Sequence, residues 1–271
     1  MSKTGKLFVS GDKHGEFSNM LSYTRHPELR QLGPRDVMLI LGDCGLPFGV
    51  NAPWYKKKYY KHDKYEIEWC VQKPFTWIFL CGNHDDRDAI ADMPIVEKWG
   101  GKVRQMKFDN KIYDNIFYID TPQILDICDR HCLCIPGAHS SDANIVLDPN
   151  GVNFKAKLKK LKKDNTPFRI NHWTWWEDED VDCEALYNLL DVNENLYQYY
   201  DYVFSHESPA LWELNGYSGG PRRKTTAVQD YLEVLRKNLM FYKWFHGHQH
   251  QNLVYPEDEG ITCLFHAVTE L

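Results

Sequence analysis

Residues 77–85 read Trp-Ile-Phe-Leu-Cys-Gly-Asn-His-Asp, an apolar run that ends in a glycine followed by three polar side chains. A short run rich in aromatic and β-branched residues and bounded by glycine is typical of a buried strand. The polar residues therefore follow the carboxyl end of a predicted strand. In open α/β sheets ligands bind at that end, so this stretch indicates both an α/β fold and a functional site.

The same pattern, an apolar run followed by a polar cluster, occurs at four other places in the chain. Predicted helices at 16–24, 53–72, 85–92 and 225–238 separate these runs, and strands that alternate with helices indicate a parallel α/β sheet. Because the carboxyl ends of parallel strands meet at one edge, all five clusters are expected to form one site. The four further runs are Lys6–Ser10 before Gly-Asp-Lys-His-Gly, Val37–Leu41 before Gly-Asp-Cys-Gly, Tyr202–Ser205 before His206, and Tyr242–His246 before Gly-His-Gln-His.

The middle of the chain, 103–135, has short alternating apolar runs separated by Asp, Asn and Pro. This pattern predicts antiparallel β-structure, which we interpret as the second half of a β-core. The fold class expected from the residues is therefore α/β, with a two-sheet sandwich flanked by helices. No linker rich in Gly, Ser or Pro divides the sequence, so residues 1–271 are expected to form a single domain.

Composition excludes several classes of protein. Of the 271 residues 43% are hydrophobic and 26% charged, which is ordinary for a globular chain and excludes a disordered or collagenous one. The formal net charge of −6 disfavours a protein that coats nucleic acid without regard to sequence. There is no apolar leader and no bilayer-length apolar run. Eight cysteines without a CxxC spacing suit reduced thiols, so a cytoplasmic location and no membrane partner are expected.

The polar clusters contain the residue types that bind divalent transition metals. Carboxylates, amide oxygens and neutral imidazoles together suit Mn, Fe, Zn or Co. The set is too large for one ion and fits two ions that share a carboxylate, an arrangement suited to phosphoryl transfer. The only thiols near these clusters are Cys44 and Cys81, so a structural zinc site is not indicated. The candidate ligands are Asp12, His14, Asp43, Asn83, His206, His248 and His250.

Taken in order, the motifs DxHG, GD, GNHD, a lone His and GHxH resemble those of the calcineurin-like metallophosphoesterase superfamily. They extend over 11–250. The resemblance implies a four-layer α/β/β/α sandwich with two central mixed β-sheets, and two divalent ions, of which Mn is favoured. One ion would be held by Asp12, His14, Asp43 and His250, and Asp43 would bridge to a second ion completed by Asn83, His206 and His248.

The resemblance also implies an activity, the hydrolysis of a phosphate ester by a hydroxide that bridges the two metals. His84 would be the catalytic residue that protonates the leaving oxygen, which suits a side chain that titrates near neutral pH. A phosphorylated small molecule or nucleotide is the expected substrate, and a phosphomonoester is favoured. The alternatives are a phosphodiesterase or nuclease of the same superfamily and, from another class, a non-catalytic interaction scaffold. The sequence does not predict an oligomeric state.

The sequence departs from the protein Ser/Thr phosphatase branch, whose second motif is GDxxDRG. Here Leu46 and Pro47 replace the Asp and Arg of that motif, and neutral side chains cannot pair with a phosphate oxygen. A narrower similarity, to uncharacterised bacterial and phage members, is carried by Pro-Gly-Ala-His-Ser-Ser-Asp at 136–142, Arg169 and Trp-Trp-Glu at 175–177. It assigns no chemistry, and we do not expect His139 to reach the site.

A helical insertion rich in aromatic residues and lysine is predicted around 46–72, next to the expected site. Its segment Trp54–Trp69 reads Trp-Tyr-Lys-Lys-Lys-Tyr-Tyr-Lys-His-Asp-Lys-Tyr-Glu-Ile-Glu-Trp. Two interpretations remain open. The aromatic side chains could cover a core face of an amphipathic helix, which is favoured, or they could stack on a base while lysine attracts phosphate. The second would make the substrate a nucleotide or single-stranded nucleic acid, a partner that is possible but not favoured.

Overall fold

The computed structural model describes residues 4–141, 143–211, 224–256 and 258–271; Asp142, the last residue of the 136–142 motif, lies outside them. Most strands in the described residues belong to two large sheets, and the helices lie between them in sequence. The strands are β1 Leu7–Ser10, β2 Val37–Ile40, β3 Thr76–Leu80, β4 Ile95–Lys98, β5 Gly101–Phe108, β6 Lys111–Ile119, β7 Gln123–Ile127, β8 Arg130–Ile135, β9 Val146–Leu147, β10 Arg169–Ile170, β11 Tyr199–Ser205, β12 Met240–His246, β13 Leu253–Tyr255, β14 Asp258–Cys263 and β15 Val268–Glu270.

Helices account for much of the rest of the described chain. Short 3₁₀ segments lie at Pro27–Gln31 and Val192–Tyr197. None of the helices in the described part of the chain combines the length and the apolar character that a bilayer-spanning segment requires. The α-helices are α1 Phe17–Met20, α2 Tyr55–Lys58, α3 Tyr60–Val71, α4 Arg87–Ala91, α5 Phe154–Lys163, α6 Cys183–Asp191 and α7 Ala227–Asn238.

The two large sheets are both mixed. The first has the order β15-β1-β2-β3-β6-β5-β4, in which β1, β2, β3 and β6 are parallel. The second has the order β13-β14-β12-β11-β8-β7, in which β8, β11, β12 and β14 are parallel. The residues that follow the parallel strands β1, β2 and β3 therefore lie at one edge of the first sheet. Those that follow β11 and β12 likewise lie at one edge of the second sheet.

Alternation along the strands divides the core into three layers. On β1, Leu7 and Val9 join Phe204 and Phe245 of the other sheet in the cluster between the two sheets. Phe8 points the opposite way, into a cluster that includes side chains of α1 and α3. A third cluster joins the outer face of the second sheet to α6 and α7. The architecture is a four-layer α/β/β/α sandwich, as the sequence predicted.

The middle of the chain differs from the prediction. The hairpins β5–β6 and β7–β8 are antiparallel, as expected. They do not form one half of the core, because β6 pairs with β3 in the first sheet and β8 pairs with β11 in the second. The inner part of β6, Ile116–Ile119, is buried throughout, so it occupies an interior position of the first sheet and the chain changes sheet after it.

Several predicted helices are shorter in the structure. The stretch 16–24 is helical only at Phe17–Met20, and 53–72 forms the two helices α2 and α3. Acidic residues suit the N-terminus of a helix, but the acidic run 177–184 is helical only from Cys183, where α6 begins and the Asp182 side chain accepts a hydrogen bond from the Ala185 amide at 2.8 Å. Glu179, within this run, is buried in the loop that precedes α6.

Candidate metal centre

Six of the seven candidate ligands form two adjacent groups at the carboxyl ends of the strands. In each group the potential ligand atoms all lie within 4.8 Å of one another, and Asp43 belongs to both groups. The two groups are Asp12, His14, Asp43 and His250, and Asp43, His206 and His248.

The first group combines buried carboxylates with accessible imidazoles. His250 Nε2 lies 3.1 Å from Asp12 Oδ2 and 2.9 Å from His14 Nε2. His14 Nε2 is also 3.9 Å from Asp43 Oδ2. The two carboxylates are buried while His14 and His250 are exposed, so this group opens toward solvent.

The second group is more deeply buried. His206 Nε2 lies 3.2 Å from Asp43 Oδ1 and 3.2 Å from Asn83 Oδ1, which places the seventh candidate beside this group. The other ring nitrogen, His206 Nδ1, is 2.6 Å from the Leu41 carbonyl oxygen, to which it donates. Since one nitrogen carries that proton, the lone pair of the neutral ring is at Nε2, directed toward Asp43 and Asn83.

The backbone at the site is held in uncommon conformations. Four of the candidate ligands have positive backbone φ angles, which residues other than glycine rarely adopt. The values are 45° at His14, 47° at Asp43, 65° at His248 and 51° at His250. Each such conformation costs on the order of 1–3 kcal/mol and persists only where the surroundings enforce it. Their concentration here is typical of a functional site.

Glycine at 82 is required by close packing around Asp43. A Cβ at that position would lie 2.3 Å from Asp43 Oδ1 and 2.6 Å from His206 Nε2. Real Cβ atoms do not approach so closely, so a side chain at Gly82 would displace members of the second group. The glycine of the GNHD motif is thus required by the space around it.

The donor atoms fit a divalent cation. Asp12 Oδ2 is buried, and within the described part of the chain it makes no hydrogen bond of good geometry, although His250 Nε2 lies 3.1 Å away. Burial disfavours charge on Asp43, yet His206 holds the pKa of that carboxyl well below its usual range. Burial also disfavours charge on His206, but Asp43 raises its pKa to about 10. Without a metal the buried carboxylates hold a proton on His206; a metal ion bound by these oxygens and by the neutral imidazole would supply that positive charge instead.

His84 lies beside the ligand groups but is not a member of either. Its backbone amide donates to Asp43 Oδ1 at 2.7 Å, and its ring centroid is 5.5 Å from that of His14. Arg169 Nη2 lies 3.3 Å from His84 Nε2. Sequence reasoning gave Arg169 no role; its place in the narrower motif was the only signal.

Asp85 connects two of the loops that carry candidate ligands. Its Oδ1 accepts from the Gly45 amide at 2.7 Å, and its Oδ2 accepts from the amides of Gly82 at 2.8 Å and Cys44 at 3.3 Å. The loops after β2 and β3 are thereby fixed to each other. Asp85 is part of the GNHD motif, but the sequence did not indicate this supporting role.

Lys13 is a second residue that the sequence did not single out. Although it lies between two candidate ligands, its side chain is buried, and burial lowers its pKa to about 7. Its Nζ donates to Ser10 Oγ at 2.9 Å, to the Gly11 carbonyl at 2.7 Å and to the Phe265 carbonyl at 2.8 Å. The lysine therefore ties the loop after β1 to the segment before β15.

The 136–142 motif supports Asn83. Asn83 Nδ2 donates to Ser140 Oγ at 2.9 Å, which directs the amide oxygen toward His206. The Ser140 amide donates to Glu179 Oε1 at 2.9 Å. His139 belongs to neither ligand group, and its ring lies 3.5 Å from Asp180.

A cavity of about 390 Å³ adjoins the site. Part of the predicted insertion is structural, since Tyr55 is buried with its hydroxyl 2.6 Å from Asp63, and Trp69 packs on Trp77. Tyr59, by contrast, is exposed in the cavity wall. The lining residues are His14, Glu16, Gly45, Phe48, Lys58, Tyr59, His62, Asp63 and His84.

Comparison with known proteins finds a protein-family model that matches most of this chain. The model of the calcineurin-like phosphoesterase family matches residues 5–252, whereas no curated protein sequence matches significantly. Among solved structures, similarity is found to a phosphopantetheinyl hydrolase from Mycobacterium tuberculosis, with 14% identity over 98% of this chain and 89% of that chain and a TM-score of 0.41.

Two further solved structures are similar. A protein of unknown function from Aquifex aeolicus is 18% identical over 66% of this chain and 84% of that chain, with a TM-score of 0.25. A protein serine/threonine phosphatase from Saccharomyces cerevisiae is 13% identical over 97% of this chain and 68% of that chain, with a TM-score of 0.34.

Proposed function

The chain belongs to the calcineurin-like phosphoesterase family, and from this premise we propose that it hydrolyses phosphomonoesters with two divalent metal ions. The observation that carries the proposal is the position of Asp43. Its Oδ2 lies 3.9 Å from His14 Nε2, and its Oδ1 lies 3.2 Å from His206 Nε2. One carboxylate therefore faces both ligand groups, as a ligand shared by two ions must.

The ligand assignment follows the two groups. Carboxylate, amide and imidazole donors in one site suit Mn, Fe, Zn or Co, and we favour Mn because three of the seven donors, Asp12, Asp43 and Asn83, are oxygen ligands. Asp12, His14, Asp43 and His250 would hold one ion, and Asp43, Asn83, His206 and His248 would hold the other.

When bound, two such ions lower the pKa of water to supply a nucleophile and offset the charge of the phosphoryl oxygens. The remaining roles belong to the protein. His84, beside His14 and outside both ligand groups, would donate a proton to the leaving oxygen. Arg169, 3.3 Å from His84 Nε2, would bind a phosphoryl oxygen through its guanidinium, which suits the geometry of an oxyanion.

The substrate that we propose is a small phosphorylated molecule, nucleotides included. The formal net charge of −6 is unfavourable for a long polyanion, and one guanidinium beside His84 matches a single terminal phosphate. A phosphodiesterase or nuclease and a non-catalytic scaffold are the alternatives that the first experiment must separate.

The experiment is metal analysis of the purified protein together with hydrolysis of an aryl phosphate and the corresponding bis-aryl ester, with and without added Mn. We expect about two metal ions per chain and faster hydrolysis of the monoester. Faster hydrolysis of the bis-ester would identify a diesterase. Folded protein that binds no metal and hydrolyses neither ester would contradict the proposal and favour the scaffold.

A further inference from the structure

We propose that the cavity next to His84 binds the leaving group of the substrate, and that this group is a neutral, planar aromatic ring system such as a nucleoside. The inference rests on the proposed phosphomonoesterase function and specifies its substrate. The substrate class is thus a nucleoside monophosphate, with its phosphate at the metal centre and its base in the cavity.

The position of the cavity supports this proposal. His14 and His84 line the cavity, so it begins at the proposed metal centre, on the side of the proposed proton donor. A leaving group that receives a proton from His84 must lie on that side of phosphorus. The volume of about 390 Å³ lies within the range of small-molecule sites, which are about 300–1,000 Å³.

The walls of the cavity include aromatic side chains. The centroid of the Phe48 ring lies 6.4 Å from that of His84, and Phe48 also packs edge-to-face on Trp176, with the centroids 5.7 Å apart. Trp176 is fully buried, so Phe48 is a fixed wall. Tyr59, which is 43% exposed, provides a second aromatic side chain. Aromatic walls bind planar rings by stacking, which contributes about 1–3 kcal/mol for each base.

The charged side chains that line the cavity bear on which groups it can bind. Lys58 is the lysine among the lining residues, which include no arginine, and its Nζ lies 5.7 Å from the centre of the Tyr59 ring. Glu16 and Asp63 line the same cavity, and the His62 ring lies 3.4 Å from each of these carboxylates. Two carboxylates against one lysine disfavour further phosphates. The cavity therefore suits a nucleoside better than a nucleotide chain or a diphosphate.

The test compares two substrates that share the same leaving oxygen, adenosine 5′-monophosphate and ribose 5-phosphate. Their KM and kcat are measured with Mn-loaded protein, and the affinity of adenosine alone is measured by equilibrium dialysis. We expect the KM for the nucleotide to be about 10- to 100-fold lower, which corresponds to one stacked base, and we expect adenosine to bind without phosphate.

Substitutions at Tyr59 test whether this side chain is responsible for the difference in KM between the two substrates. Tyr59→Leu should reduce the ratio of the two KM values about tenfold and weaken adenosine binding, whereas Tyr59→Phe should retain both. The matched control is Tyr65→Leu, because Tyr65 is also an exposed tyrosine of the insertion, on α3, but does not line the cavity. Metal content should be the same in all of these variants.

The outcomes separate the two proposals. Hydrolysis of both substrates with equal KM, without adenosine binding, would overturn the aromatic site and leave the phosphomonoesterase standing. Adenosine binding that depends on Tyr59, without hydrolysis of any phosphomonoester, would support the cavity as a nucleoside site and overturn the proposed function. An unchanged KM ratio in Tyr59→Leu would overturn the assignment of the base to this cavity.

Discussion

The Arg169 guanidinium lies 3.3 Å from Nε2 of His84, although the two residues are 85 positions apart in the chain. Arg169 is on β10, a strand of two residues that pairs with β9 in a two-stranded sheet, so a small separate sheet brings this side chain to the site. Two groups that can donate to an anion thus meet beside the ligand groups. Neither is a member of those groups.

Replacement of Arg169 by methionine is expected to weaken substrate binding. A hydrogen bond to a charged group is worth about 1.5–3 kcal/mol, so kcat/KM should fall about 10- to 100-fold, mostly through KM, and inhibition by inorganic phosphate should weaken in parallel. Steady-state kinetics measure both. Arg130→Met is the control, because Arg130 begins β8 at the opposite end from the carboxyl edge. Equal loss in both variants would show that Arg169 acts only through stability.

Asp43→Asn is expected to weaken the binding of both metal ions. Asparagine is almost isosteric and tolerates the positive φ of 47° at this position, so the backbone should be preserved while the shared negative charge is lost. Metal content should fall from about two ions per chain to less than one, and turnover should fall by at least about a thousandfold. Asp114→Asn, which changes an exposed aspartate, should alter neither. Full activity in Asp43→Asn would refute the shared-ligand assignment.

His84→Ala is expected to lower kcat about 10²- to 10⁴-fold, the usual contribution of a general acid, while metal content stays unchanged. The loss should be larger for an alkyl phosphate than for a nitrophenyl phosphate, because a nitrophenolate leaves without a proton. His26→Ala is the control, since that ring pairs with Glu28 at 2.9 Å instead. If the variant lost one metal ion, His84 would be a ligand.

The site was predictable because its residues follow strands. Asp12 and His250 are 238 positions apart, yet the rule that parallel strands present their carboxyl ends at one edge brings them together, and the structure places them 3.1 Å apart. The ordered motifs added the family and the layered fold. Local patterns were sufficient to predict this proximity wherever a candidate ligand directly follows a strand.

Arg169 and the division of the middle strands could not be predicted in the same way. A strand of two residues carries no detectable periodicity, and its contact with His84 depends on tertiary packing. The run at β6 alternates no differently from that at β8, so its sequence does not say which sheet it joins. That choice depends on which neighbouring strands bury both faces of β6, a property of the whole fold rather than of the segment.

Gly82→Ala is expected to disrupt the second ligand group. The added Cβ would lie 2.3 Å from Asp43 Oδ1 and 2.6 Å from His206 Nε2, so both ligands must move, and overpacking of this kind costs about 1–3 kcal/mol. Metal affinity and the free energy of unfolding should both fall, as measured by metal titration and urea denaturation.

Gly33→Ala provides a matched control for this variant. A Cβ at Gly33 would meet its nearest neighbour, Asp36 Oδ2, at 3.9 Å, an ordinary contact distance. The control should keep wild-type metal affinity. Wild-type metal binding in Gly82→Ala would mean that the loop after β3 can shift without cost, and that the tight packing around Asp43 is not needed for the site.

Glu179 should make stability depend on pH. It is buried, its Oε2 makes no hydrogen bond within the described residues, and burial raises the pKa of its carboxyl to about 7. The folded protein therefore holds this proton more tightly than the unfolded chain does. Its contribution to stability is fully present below the unfolded pKa near 4.5 and is lost as the pH rises to about 7.

Glu179→Gln should remove this dependence, because the amide cannot ionise but can still accept the hydrogen bond from the Ser140 amide. Relative to wild type, the free energy of unfolding of the variant should increase by about 2.5 kcal/mol between pH 5 and pH 8. Urea denaturation in the presence of a chelator measures it without interference from metal binding. The control Glu177→Gln changes an exposed side chain two residues earlier and should follow wild type. Parallel pH profiles for Glu179→Gln and wild type would show that the Glu179 carboxylate is solvated well enough in the folded protein to ionise normally, and that the Ser140 loop does not isolate it from water.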